Sequence, residues 1–417
     1  MPISVVAAVL LLATCLALRT FVVGYLVLVG VELWIEYAGA AGLEFPVSKS
    51  RMVFSLCALS LLALRSRLAR RVSLGTWFVA CVSVMGYLQF HGSSIALGRW
   101  ISCIFALGAS LAWAGCAARS RWFVPSSSLV VVLLAVAGVV EYLRRQPILM
   151  TPYFAPGSGF RSASMFAHPL VFGWAMVLAV PLVYRLESRP LRVVSMVAVG
   201  CSIVVSGSRS AIGVAVVAGA IALIRTRSLS TFVRRGTILA LVGGVAVFAT
   251  GLAQEVQVRV ESGSAEVNRS EAWSLAPSSL EGAALLFGNG PGYVAQASGS
   301  GESIFSEATS VAAFDNQWLT LLAEMGPLAV AAAMWIALRF VRSSWRLRRA
   351  ENLYLALAVV GAGLAFDALY WPIIGAVAAS SLFSRTRSEV GEGVRHLSGA
   401  DGDNSLVPRK DSLIVDR

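Results

Sequence analysis

Apolar residues fall in long runs, broken by short polar stretches rich in arginine. The runs cover residues 3–18, 21–43, 52–64, 74–90, 100–118, 123–143, 169–186, 191–206, 210–224, 236–253, 317–338 and 353–383. The alternation that would mark a β-barrel is absent. Within hydrocarbon every backbone N–H and C=O must be paired inside its own segment, and a helix needs about 20 residues to cross. The pattern therefore predicts an all-α, polytopic transmembrane helical bundle of about 12 spans, in a range of roughly 11 to 13. The last run is long enough to be a hairpin of two half-length helices around Asp367. No positive stretch precedes the first apolar run, which argues against a cleaved signal peptide.

Four regions follow. Residues 1–253 hold about ten transmembrane helices with short loops, and 254–316 form one large extracytoplasmic loop. Residues 317–383 hold the C-terminal transmembrane helices, and 384–417 form a polar tail whose balanced charge predicts disorder.

Composition sharpens the class. Hydrophobic residues make up 57% and charged residues 13%, with a mean hydropathy of +0.75. Soluble chains carry about 25% charge. The net charge of +12 is almost all arginine, since Lys49 and Lys410 are the only lysines. Its distribution is topological. Arg65, Arg67, Arg70 and Arg71 share one break, Arg119 and Arg121 another, and Arg185, Arg189 and Arg192 a third. Arg225, Arg227, Arg234 and Arg235 share a fourth, and Arg339, Arg342, Arg346, Arg348 and Arg349 a fifth. These breaks alternate with poorer ones and are therefore cytoplasmic. Stretches 91–99, 144–168, 206–210 and 254–316 then lie outside, and the amino terminus is external if the first two runs both span. No soluble domain is left to carry a basic nucleic-acid surface, so no nucleic acid is expected as a partner.

The cysteines, Cys15, Cys57, Cys81, Cys103, Cys116 and Cys201, all sit inside apolar runs without metal spacing. His91, His168 and His396 form no ligand cluster. Neither a metal nor any other cofactor is expected.

Chemistry gathers on the outer side. In Ser206-Gly207-Ser208-Arg209-Ser210 a helix starts with its amino end outward, and Ser208 or Ser210 can cap it. Free N–H groups, the positive dipole end and the Arg209 guanidinium then make an anion site; an arginine snorkelling to the interface reads equally well. Arg161 lies in the stretch Phe160 to Pro169, which re-enters the membrane at a proline suited to a helix start. Asn268 to Trp273, including Arg269, opens an amphipathic helix, and Gly288-Asn289-Gly290-Pro291-Gly292 reads as a turn back toward the membrane. Asp315 stands where the loop enters a helix, where its plain role is a cap, and Asn316 follows it. Glu324 lies nine residues beyond Asp315, roughly 13 Å deeper at 1.5 Å per residue. There it needs an arginine partner. Gly326-Pro327 weakens that helix. Three arginines and an aspartate at helix mouths point to an anionic group, a diphosphate among the candidates.

Four of these motifs, taken in order, resemble the O-antigen ligase and O-antigen polymerase family of bacterial membrane glycosyltransferases. They are Arg161 to Phe166 with Pro169; Ser208-Arg209; Arg269 with Trp273 and Gly288-Asn289-Gly290; and Asn316 to Glu324 with Gly326. The resemblance covers residues 150–330 by motif and the remainder by hydropathy. It implies a metal-independent, inverting transferase with a GT-C-like helical fold in the bacterial cytoplasmic (inner) membrane. The enzyme would move a glycan from an undecaprenyl-diphosphate carrier to a hydroxyl of a glycan or glycolipid acceptor on the outer side, amid membrane lipid and other polysaccharide-assembly proteins. Carried over, Arg161, Arg209 and Arg269 hold the diphosphate, Asp315, Arg209 and Arg269 form the catalytic set, and Arg161, His168, Ser208, Asn316 and Glu324 bind substrate. Ligases of the family place a histidine immediately before the asparagine matching Asn316. Asp315 stands there instead, which favours a polymerase-like role. Two other classes fit the same charges: a multi-pass transporter of an anionic solute, or a non-catalytic partner of an envelope polysaccharide assembly. The 63-residue loop and the lack of an inverted repeat favour the transferase.

Overall fold

The computed structural model describes scattered residues between 22 and 33, then 47–90, 94–148, 160–225, 280–293, 317–346, 350–365 and 372–383, apart from 119, 167, 283 and 292. Arg269, Asp315, Asn316, the apolar runs 3–18 and 236–253, and most of 254–316 lie outside the described residues. So does the second of two units, Arg385–Arg417; everything described below belongs to the first, Met1–Ser384.

Among the described residues every regular element is a helix. They are α1 (Val47–Arg65), α2 (Arg67–Phe90), α3 (Ser94–Ala117), α4 (Phe123–Arg144), α5 (Pro169–Tyr184), α6 (Arg189–Val205) and α7 (Arg209–Arg225). The single turn α8 (Ala284–Phe287) follows, then α9 (Gln317–Arg346), α10 (Ala350–Ala365) and α11 (Pro372–Phe383). Among the described residues four stretches are long and apolar enough to cross a membrane: Arg67–Met85, Trp100–Ala117, Phe123–Arg144 and Gln317–Trp345. Three of the four turn large apolar side chains outward: Leu74, Phe78, Met85 and Leu88 on α2, Leu129, Leu133 and Leu143 on α4, and Trp335, Ile336 and Leu338 on α9. Water would penalise such stripes and lipid does not. The chain is a helical membrane protein.

The helices run further than the apolar pattern predicts. Arg67, Arg70 and Arg71 lie in the first turns of α2 and not in a loop, with Ser66 as the one residue between α1 and α2. Arginine is a good helix former, and the Ser66 hydroxyl accepts from the Ala69 N–H at 3.4 Å as a cap. At the far end, α9 likewise continues through Arg339 and Arg342 to Arg346, with the Arg339 guanidinium 5.2 Å from the Trp335 ring. The long C-terminal run is divided into α10 and α11, with 366–371 outside the described residues.

Helix α5 is the axis. It is 16 residues long and nearly all of it is buried, so no polar face is needed and none is present. It packs against α4, α6, α7, α10 and α11. Arg185, at its carboxyl end, donates to Asn352 Oδ1 at 2.7 Å and pairs with Glu351 at 3.6 Å, which places the amino end of α10 there. Helix α10 then runs back along α5. A Cβ on Gly363 would stand 3.1 Å from Trp318 Nε1, so the carboxyl part of α10 meets the start of α9. A Cβ on Gly361 would stand 2.7 Å from Val214, in the first half of α7. The start of α5, the start of α7 and the start of α9 therefore share one end of the bundle.

Candidate functional site

At that shared end three chain segments are sewn together. The stretch 160–168 leads into α5, and the turn Ser206-Gly207-Ser208 joins α6 to α7. Ser162 N–H donates to Val205 O at 3.1 Å, and Arg161 Nε donates to Ser206 O at 3.0 Å. These are the last carbonyls of α6, which have no partner within their own helix. A guanidinium there also faces the negative end of the α6 dipole.

The turn itself is tight. Gly207 has φ +62°, and Gly173 on α5 presses against the turn so closely that a Cβ would stand 2.5 Å from Ser206 Oγ. Ser208 is buried, and its hydroxyl accepts from Ala211 N–H at 3.3 Å. Of the two candidate caps for α7, this is the one in use, and its oxygen is directed to the helix rather than outward. Arg209 follows as the first residue of α7. It is exposed and holds no hydrogen bond or ion pair with the described residues. It stands three positions after Ser206, so the two backbones are within about 11 Å. Arg161 and Arg209 are thus neighbours at one helix mouth despite their separation in the sequence.

His168 is the cap of α5. Its Nδ1 accepts from Leu170 N–H at 3.1 Å, so the neutral ring carries its proton on Nε2. Its acceptor nitrogen is therefore occupied, which does not suit a general base. Burial first, and the Arg161 guanidinium second, push its pKa down from 6.5 to about 4. A folded-state value below the unfolded one means that the unfolded chain binds more protons between pH 6.5 and 4. His168 therefore withdraws stability as pH falls through that window and leaves it untouched above. His168→Asn keeps a capping side chain and should flatten this part of the profile. Thermal unfolding in detergent at a series of pH values checks it; an unchanged slope would exclude His168 as the source.

The residue that sequence reasoning missed is Glu141, fully buried one turn from the end of α4. Its Oε2 accepts from Ser162 Oγ at 2.5 Å, Ala163 N–H at 2.8 Å and Ser164 N–H at 2.7 Å. Its Oε1 accepts from Ile148 N–H at 3.1 Å. Ser164 is held at φ +53°, a left-handed conformation uncommon outside glycine, and its hydroxyl donates to Leu134 O at 2.9 Å. The signal was present, because Glu141 is the one carboxylate in the apolar run 123–143.

No family model and no curated protein sequence matches this chain.

The other half of the site region is built on α9. At Gly326 the backbone turns to φ +78° and ψ 173°, and Pro327 starts the helix again. Proline has no N–H, so the Ala323 carbonyl loses its helical donor. Asn289 N–H fills that place at 2.9 Å, and Gly290 N–H donates to Glu324 O at 2.9 Å. The stretch after α8 is therefore docked on the break in α9 by main-chain bonds. Glu324 is buried beside it. Arg269, Asp315 and Asn316 lie outside the described residues. Among the described residues no three His, Cys, Asp or Glu side chains group as a metal site.

Proposed function

We propose that the chain is a membrane glycosyltransferase of the O-antigen ligase and polymerase type, polymerase-like in role, with about 12 spans in a GT-C-like arrangement. It acts at the outer side of a bacterial cytoplasmic membrane. One observation carries the reading: Arg161 Nε donates to Ser206 O, three positions before Arg209, beside the capped amino end of α7. Guanidinium groups and helix N–H groups at one point suit an anion with several oxygens.

In this reading Arg161 and Arg209, with Arg269 from the large loop, hold the diphosphate of an undecaprenyl-diphosphate-linked glycan. Asp315 takes the proton of an acceptor hydroxyl. The acceptor oxygen bonds to the anomeric carbon with inversion, and the bond from that carbon to the diphosphate oxygen breaks. Negative charge grows on the departing undecaprenyl diphosphate, and the arginines stabilise it. Asn316, His168 and Glu324 bind the acceptor and the carrier. Ser208 contributes by fixing the start of α7.

The test is turnover. Purified full-length protein given an undecaprenyl-diphosphate-linked glycan should release undecaprenyl diphosphate and lengthen or transfer the glycan, at the same rate with and without a chelator. Loss of the rate on chelation would overturn the metal-independent mechanism. Uptake of an anionic solute into proteoliposomes, with no diphosphate released, would replace the transferase with a transporter.

A further inference from the structure

Glu141 has no place in the chemistry above, yet its carboxylate accepts four hydrogen bonds. A carboxylate buried in an apolar helix is costly unless its lone pairs are filled. Here they are filled by one stretch of chain, with three donors from Ser162 to Ser164 on Oε2 and Ile148 N–H on Oε1. Those three residues follow Arg161 directly. They leave Ser164 in a left-handed conformation that persists only where surroundings enforce it. On the other side the same segment is tied to α6 through Ser162 N–H and Arg161 Nε. Gly138, one turn before Glu141 on α4, leaves room for the Phe172 ring and Ser162; a Cβ there would stand 2.3 Å from Phe172 Cζ and 3.2 Å from Ser162 Oγ. The backbone of Arg161 is therefore clamped between α4 and α6.

We infer that Glu141 is a positioning residue that sets Arg161 for the diphosphate, acting through the 162–164 backbone and not by touching substrate. The inference rests on the transferase reading for the identity of the anion, though the clamp itself does not. A carboxylate is suited to the task because it only accepts, and all its partners are N–H or O–H donors. Glutamine has the same shape but presents an NH2 group to one side of the donor cluster. Aspartate keeps the charge and withdraws it by one methylene.

A double-mutant cycle tests it. The affinity of full-length protein for inorganic diphosphate is measured for the wild type, Glu141→Gln, Arg161→Ala and the double variant, each at unchanged thermal midpoint. Glu141→Gln should weaken binding about tenfold in the wild-type background. It should add less than about twofold once Arg161 is gone, because residues acting as one unit are not additive. Additive losses, or unchanged affinity in Glu141→Gln, would overturn the assignment. If Glu141→Gln does not fold, Ser162→Ala, which removes one donor to Oε2 and leaves both charges, is run in the same cycle with the same criteria. A second readout needs no ligand. A thiol at exposed Met165, introduced as Met165→Cys, should react several-fold faster with a maleimide in the Glu141→Gln background. Equal rates would sink the clamp. A wild-type protein that clamps the loop but binds no diphosphate would instead count against the transferase reading alone.

Discussion

Arg209→Gln should leave the protein at least as stable as the wild type while transfer falls by about 10²–10³-fold. The reason lies in where Arg209 stands. A cation at the amino end of a helix opposes the dipole and costs about 0.3–1 kcal/mol at an exposed position. Arg209 is the first residue of α7, it is exposed, and no bond to the described residues offsets that cost. Glutamine removes the penalty and keeps helix propensity. A cation that weakens its own helix and bonds to nothing among the described residues fits a trade of stability for activity. Arg209→Lys keeps the charge but replaces a planar fork with a point donor, and should also lose turnover, to a smaller degree. Initial rates of undecaprenyl diphosphate release and unfolding midpoints decide both. A Gln variant that is less stable and fully active would make Arg209 an interface anchor.

Gly326→Ala should be among the most destabilising single substitutions in the chain, by about 2–6 kcal/mol from backbone strain and overpacking together. The φ and ψ at Gly326 fall in a region that is essentially closed to other residues. A Cβ would also stand 2.3 Å from Leu286 O and 2.5 Å from Gly288 N, both backbone atoms that have little room to yield. Gly75→Ala supplies the control. It lies inside α2 with nothing within 4 Å of the added carbon, so it should be neutral or stabilise by up to about 1 kcal/mol. Unfolding in a graded detergent mixture, followed by tryptophan fluorescence, compares the two. Equal midpoints would mean that the 284–293 stretch is not docked on the α9 break in the protein as it exists in a membrane.

Helices and their apolar character were legible in the sequence because lipid-facing and buried positions are both written in side-chain hydropathy. Helix ends were less so. Arg67 to Arg71 and Arg339 to Arg346 are polar, but polarity reports the surroundings of a side chain and not whether its backbone is helical. Ser66 illustrates the missing information, since its cap is visible only once α2 is known to begin there. At the site, the arginines and the Ser208 turn stood out because charge beside a membrane is rare. Glu141 was overlooked since its four donors come from residues 148–164, and which backbone N–H groups turn toward a carboxylate is a tertiary fact. The glycine pair was half read. Gly288 was expected in a turn and Gly326 at a weak point of a helix, but each glycine is required by the other, and no local pattern records that.

The burial of α5 bears on how the chain is made. At 16 residues it spans about 24 Å, short of a hydrocarbon core of about 30 Å. Its contacts with α4 and α6 join stretches close in the sequence, and the bonds that close this group, from Glu141 to Ser164 and from Arg161 to Ser206, are made by residue 206. The α11 side of α5 is different: Ser381 Oγ donates to Leu178 O across 203 residues. During synthesis α5, the most buried of the described helices, must therefore wait, one face against lipid or the insertion machinery, until α10 and α11 arrive. Chains truncated before α10 should keep α4 to α7 together and still be recognised as incomplete by the membrane's quality-control proteases, because the face they lack is the one that hides a helix too short to stand in lipid by itself.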